Sequence, residues 1–199
     1  MTKKELSFII EEEKNMYFGK NMKQMKKSKH KRYFIFMYLL YFRKCQYYKN
    51  LRQNRKNSKI QRIIFKYKYR YYEKRKNIFS YKSGVEIGLN CIIGQRCNIW
   101  HSGVVINGNI GDNCIFHGNN TIGNKGLGNE SLRPIIGNNV DIGAGAIIIG
   151  DISIADNCIV GAGTVVTKSF NETASVIVGV PGKILKQQGV SRESYENTR

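Results

Sequence analysis

From Val85 onward the apolar residues fall on a six-residue grid. Ile87, Ile93, Ile99 and Val105 lead by a short step of five to Ile110, then to Phe116 and Ile122. A step of fourteen reaches Ile136, and the grid resumes at Ile142, Ile148, Ile154, Val160 and Val166. The next residue is often Gly or Ala, and the fifth position of each hexad is often small; Cys91, Cys97, Cys114 and Cys158 all fall there. A helix repeats its apolar residues at steps of three and four, and a half-buried strand alternates, so neither fits. A period of six with Gly and Asn between the apolar positions predicts short strands joined by tight turns. Three such strands close a triangular coil of about eighteen residues, and successive coils stack ~4.8 Å apart. The thirteen grid positions make a little over four coils, a prism roughly 20 Å tall. The long step from Ile122 to Ile136 predicts that residues 124–135 loop out of the prism, and such loops often carry function.

Residues 1–82 follow no such grid. Segments around Tyr33–Tyr48 and Ile60–Tyr72 predict helices. The chain divides accordingly into a basic, Tyr-rich helical arm (1–82), a β-helix (83–186) and a tail (187–199). Charge sharpens the division: residues 1–82 carry 25 Lys and Arg against 5 Asp and Glu, whereas the rest carries 8 against 9, so the net +19 belongs to the arm. The apolar run Tyr33–Phe42 is too short for a span, which needs roughly 17–25 residues, and Arg43–Lys44 follows it where a leader would have small residues. Between cationic flanks, such a run suits an anionic membrane surface. Five cysteines, an odd number, do not read as a disulfide framework; the four on the grid read as compact packing residues, and a reducing cytoplasmic setting is expected.

The stretch NNVDIGAGAIIIGDISIADNCIVGAGTVVTKSF, the ending IVGVPGKIL and the segment IWHSGVVIN at 99–107 resemble the hexapeptide-repeat acyltransferases. Within these, the similarity is to serine acetyltransferases and to the sugar O-acetyltransferases of capsule and lipopolysaccharide clusters. The resemblance implies a left-handed parallel β-helix, acetyl-CoA as donor, no metal, and a homotrimer with active sites between neighbouring prisms. It also implies CoA contacts at Ala144, Gly145, Ala162, Gly163, Lys168 and Lys183. Small residues there let the pantetheine arm approach the backbone, and lysines meet the phosphates.

Acetyl transfer from a thioester to an alcohol needs a base for the hydroxyl proton, and His is suited to it near neutral pH. The His of IWHSGVVIN, His101, matches the family's base. Glu86, fifteen residues earlier, falls about one coil below and matches the family's orienting acid. His117 lies one coil above Trp100 on the same side, as a substrate contact or as the base in place of His101. By resemblance, the backbone N–H groups of Gly123 and Asn124 form the oxyanion hole, and Arg133 occupies the family's substrate loop.

Three departures from serine acetyltransferase move the expected acceptor toward a sugar hydroxyl. Trp100 stands where that family has Asp before its His; Leu132-Arg133-Pro134 replaces its Arg-His-Pro; and a basic arm replaces its longer helical domain. An indole suits the apolar face of a sugar ring. Serine remains the alternative acceptor. A γ-class carbonic anhydrase needs three His ligands and the prism offers two. For the arm, packing ranks first, contact with an anionic membrane near a lipid-linked glycan second, and nucleic acid third, no recognition motif being present. A non-enzymatic polyanion- or membrane-binding protein is the alternative of another class.

Overall fold

The computed structural model describes residues 1–19, 21–126 and 132–187. The chain forms two compact units, Met1–Leu89 and a second from Asn90 onward.

In the first unit, helices α1 (Lys3–Phe18), α2 (Met22–Lys27), α3 (Lys31–Gln53) and α4 (Lys59–Ser83) precede a short strand β1 (Val85–Ile87). Capping boxes start α1 at Thr2 and α4 at Ser58, where each side chain accepts the N–H of the third helical residue. Gly84 ends α4 in the left-handed region. The inner face of α3 follows helical spacing through Ile35, Phe36, Tyr38, Leu39, Phe42 and Cys45, all buried. The run Tyr33–Phe42 therefore supplies core rather than a membrane-facing patch, because helical packing draws its apolar side chains inward. The arm's tyrosines zip α3 to α4: Tyr41 stacks on Phe79 at 5.4 Å and Tyr48 on Tyr72 at 5.3 Å. Lysines and arginines lie over those rings, Lys68 over Tyr48 and Arg75 over Tyr41. The buried Arg43 pairs with Glu13 of α1 at 2.7 Å. Among the described residues no helix is long and apolar enough to cross a membrane.

The second unit is a left-handed parallel β-helix. Its strands are β2 (Asn98–Ile99), β3 (Val104–Ile106), β4 (Asn109–Ile110), β5 (Ile115–Phe116), β6 (Thr121–Gly123), β7 (Ile135–Ile136), β8 (Asp141–Ile142), β9 (Ile147–Ile149), β10 (Ser153–Ile154), β11 (Ile159–Val160), β12 (Val165–Val166), β13 (Ser175–Val178) and β14 (Lys183–Gln187). One face of the prism stacks β2, β5, β8, β11 and β13, the second β3, β6, β9 and β12, and the third β4, β7 and β10. Neighbours run parallel, as in Ile99↔Phe116↔Ile142↔Val160, until β14 closes the stack antiparallel to β13. The strand β14 reaches Gln187, one residue into the expected tail; residues 188–199 lie outside the described residues, as do 127–131 of the expected loop.

The aliphatic column is buried as the spacing predicts, with one correction. Val105 points outward at 43% exposure, and Val104 and Ile106 on either side of it fill the interior. The grid steps seven from Ile99 to Ile106 and four to Ile110, because the first step holds one residue more than a hexad and the second two fewer. One corner is built from residues in the left-handed conformation, Arg96, Asn113, Asn139 and Asn157; Asn tolerates it best among residues with a side chain. Carboxylates and amides then join the coils there: Asp112 accepts from Gln95 N, Asn138 from Asp112 N and Asp156 from Asn138 N, at 2.7–2.8 Å. At the same corner a Cβ on Gly94 would lie 2.3 Å from Gly111, so the close coil spacing requires glycine. The column cysteines are fully buried, and three thiols donate to a carbonyl of the next coil: Cys97 to Gly111, Cys114 to Gly137 and Cys158 to Glu172.

Two outcomes follow from this packing. Ile142 is fully buried at mid-stack, so Ile142→Asp removes roughly 1.5–3 kcal/mol of burial and strands a carboxylate. Circular dichroism should show loss of the β signal. Burial pushes the Cys45 thiol up to about 12 and raises that of Cys158, which keeps both as unreactive thiols. A thiol reagent at neutral pH should label none of the five cysteines in native protein and all five after denaturation.

Candidate functional site

The first and second faces meet at a corner formed in successive coils by residues 100–103, 117–120, 143–146 and 161–164. Both histidines of the prism are there. Trp100 and His117 end adjacent rungs, with Trp100 N donating to Phe116 O at 2.9 Å, and their rings lie 4.5 Å apart, tilted by 57°. His117 has a side-chain partner: its Nε2 lies 2.8 Å from Asp141 Oδ1, and both side chains are about one-third exposed. Asp141 was not among the residues singled out from sequence. The signal was present, however. Register places Asp141 opposite Ile115, and residues two apart on a strand share a face, so Asp141 and His117 are outward-facing diagonal neighbours. Seeing this requires subtracting the extruded loop from the spacing.

His101 is exposed at the tip of its turn, and within its own unit no described residue hydrogen-bonds its ring. It sits directly beneath Gly118. A Cβ on Gly118, which adopts φ +114°, would lie 2.6 Å from the Cβ of His101. Above, Gly145 N donates to Gly118 O and Gly163 N to Ala144 O, both at 2.9 Å. His101, Gly118, Gly145 and Gly163 thus form one vertical column. Asn120, fully buried, ties the corner: its Oδ1 accepts from Gly118 N at 3.0 Å and its Nδ2 donates to Gly143 O at 2.8 Å.

Upward from Gly118 the corner is bare backbone. Ala144, Ala162 and Gly163 are exposed, and a Cβ built on Gly163 meets nothing within 4 Å. An extended, thin ligand fits against such a surface. Lys183 opens β14, in a hairpin joined to this corner through Gly182 N and Val165 O at 2.8 Å. Lys168 is at the far end of the second face, over the Phe170 ring at 5.5 Å.

The remaining expected residues are elsewhere. Gly123 ends β6 and Asn124 opens the loop at the next corner, between the second and third faces. Arg133 returns from the loop to that same corner, with Nη1 3.8 Å from Cys91 Sγ. Glu86 is exposed in β1 of the first unit, beside a concavity of about 530 Å³ lined also by Tyr38, Ser80 and Leu89. Among the described residues no group of three His, Cys, Asp or Glu side chains gathers as a metal site.

These features define a hexapeptide-repeat β-helix with an imidazole-bearing corner. Residues 133–168 match the family "Bacterial transferase hexapeptide (six repeats)". The chain is similar to a serine acetyltransferase of Synechococcus elongatus, 35% identical over 120 residues, 59% of this chain and 49% of that protein. It is also similar to a serine acetyltransferase of Staphylococcus aureus, 42% identical over 111 residues, 54% of this chain and 52% of that protein. The chain thus spans about half the length of these relatives. Its fold matches the crystal structure of Neisseria gonorrhoeae serine acetyltransferase with a TM-score of 0.68 at 20% identity, over 98% of this chain and 71% of that one.

Asn120→Ala, which leaves Gly118 N and Gly143 O without their partners, should destabilise the second unit by roughly 2–3 kcal/mol. Chemical denaturation of the variant against the parent checks this.

Proposed function

We propose that this chain is an O-acetyltransferase that moves an acetyl group from acetyl-CoA to an alcohol, with His101 as the general base. The observation that carries this reading is the column itself: an exposed imidazole at its base and a track of small residues above it, in a sequence similar to serine acetyltransferases. CoA is proposed to run along Ala144, Gly145, Ala162 and Gly163, with Lys168 and Lys183 meeting its phosphates. His101 accepts the hydroxyl proton as the oxygen attacks the thioester carbonyl, and Glu86 is proposed to orient the ring and stabilise the imidazolium. The N–H groups of Gly123 and Asn124 are proposed to hold the oxyanion. No covalent enzyme intermediate is needed; both substrates meet in one groove.

The assembly proposed is a homotrimer. His101, Trp100 and His117 occupy one corner, and Gly123, Asn124 and Arg133 the next, so a second prism set against the first brings the two sets into one site.

For the acceptor, the relatives support L-serine, the alternative in the sequence reading, better than the sugar placed first there; polysaccharide synthesis gains no support from them. A sugar hydroxyl is kept as the second reading for one reason: the Trp100 indole beside His117, where an amino acid's ammonium group would want a carboxylate. A cytoplasmic setting accords with these relatives, and the cationic arm keeps contact with an anionic membrane as a proposal.

A free-thiol assay with acetyl-CoA and a panel of L-serine, sugars, sugar nucleotides and oligosaccharides separates these acceptors. Release of CoA with L-serine is expected; release only with a glycan reverses the order of the two readings. His101→Ala should lower the rate by roughly 10²–10⁴-fold with the fold retained. Undiminished transfer by that variant refutes His101 as the base.

A further inference from the structure

The geometry points to a second proton-handling pair in this site: His117, positioned by Asp141, delivers a proton to the departing CoA sulfur. The inference rests on the acetyl-transfer reading above and assigns a step that reading leaves open. Once the hydroxyl oxygen has added to the carbonyl carbon, the tetrahedral intermediate collapses and the C–S bond breaks. The sulfur leaves with the electron pair and ends as a thiol. The proton it takes need not be the one His101 removed.

Three features place His117 in this role. The first is position along the column. His101 lies under Gly118, and the Ala144–Gly145 rung lies over it, so His117 occupies the rung between the base and the proposed pantetheine track. Adjacent rungs are ~4.8 Å apart, so imidazoles on successive rungs can approach one carbonyl carbon from two sides, one toward the attacking oxygen and one toward the leaving sulfur. The second is the carboxylate. Asp141 Oδ1 holds Nε2 at 2.8 Å, which fixes the ring's orientation and leaves Nδ1 as the nitrogen that faces the ligand track; when the ring carries both protons, Nε2–H is held by the carboxylate and Nδ1–H is the donor. The third is Trp100, whose indole lies against the imidazole at 4.5 Å and keeps water from that side. With a base already in place, a carboxylate-bound imidazole one rung nearer the thioester has the complementary task. After transfer, neutral His117 regains a proton from solvent and His101 loses its own, so the protons balance.

Asp141 is a positioning residue and touches neither substrate. Its test therefore needs readouts that a structural role alone does not move. Full-length protein with ¹⁵N-labelled histidine is titrated with CoA alone while the ring nitrogens are observed. The expected result is a shift of the His117 nitrogens on CoA addition, with the Nε2 proton retained, and loss of that proton signal in Asp141→Asn. His117 resonances that ignore CoA overturn the inference even if the enzyme is active. In steady-state assays with the acceptor found by thiol release, His117→Asn should lower kcat by ~10²-fold or more with KM for acetyl-CoA little changed. Asp141→Asn should lower kcat by roughly 10-fold or more, and Asp141→Glu should recover part of it. Normal kcat in His117→Asn overturns the pair and leaves the acetyl-transfer reading standing. Wild-type protein that transfers acetyl to no hydroxyl overturns that reading and this step with it.

Discussion

Parallel stacking in register is the constraint on which the second unit depends. Each rung donates its N–H groups to the carbonyls of the next, as from Trp100 to Phe116, His117 to Ile142 and Gly143 to Val160. Because the rungs repeat, a residue's place in its coil fixes which face or corner it occupies, and its distance in sequence becomes irrelevant. Inward, this yields a column of Ile and Val side chains, each contributing roughly 1.5–3 kcal/mol through burial. Outward, it brings Trp100, His117 and Asp141, from three different coils, into contact. The glycines at Gly94, Gly111 and Gly118 are where that spacing leaves no room for a side chain.

The same constraint decides what one chain can and cannot assemble. The corner before the second face holds the imidazoles and the bare track, and the corner after it holds the loop, Gly123–Asn124 and Arg133. Two sets of residues fixed on different corners of a rigid triangle do not meet by side-chain motion. In the proposed trimer they would meet across neighbouring prisms, which is why the proposed chemistry and the proposed trimer stand or fall together. The cationic arm has its own logic. Tyr41, Tyr48 and Tyr72 pack α3 against α4 with cations over their rings, whereas Tyr67, Tyr71, Tyr81 and most of the lysines remain exposed, so only part of the basic, aromatic composition is a helix–helix interface.

The β-helix was legible in the sequence because a six-residue period has no other common structural source, and the Gly and Asn corners agree with it. Local breaks in the period were not legible. Val105 and Ile106 are both aliphatic, and hydrophobicity alone cannot choose which faces inward when a turn holds an extra residue. The helices α3 and α4 extend beyond the segments read as helical, because their Lys- and Arg-rich ends carry no apolar period of their own yet still stack through cation–aromatic contacts. In the site, His101 and His117 were legible as imidazoles at one corner. Asp141 was not, since it lies across the extruded loop: the 24-residue spacing from His117 is a multiple of six that would suggest another place in the coil, and only without the loop's extra residues does Asp141 fall opposite Ile115, diagonal to His117. That Tyr33–Phe42 supplies core was not legible, because a ten-residue apolar run in a helix is as well suited to a core as to a lipid surface; its buried side chains pack under α1 and α4.

The central claim is that the corner running from His101 through Gly118 to Gly163 is where the acyl donor lies. Amide chemical-shift mapping of the full chain with CoA tests it most directly. The account predicts that perturbed amides trace Gly118, Ala144, Gly145, Ala162 and Gly163 as a continuous line. Perturbations confined to the helical arm, or to the opposite corner at Asn113, Asn139 and Asn157, would contradict it.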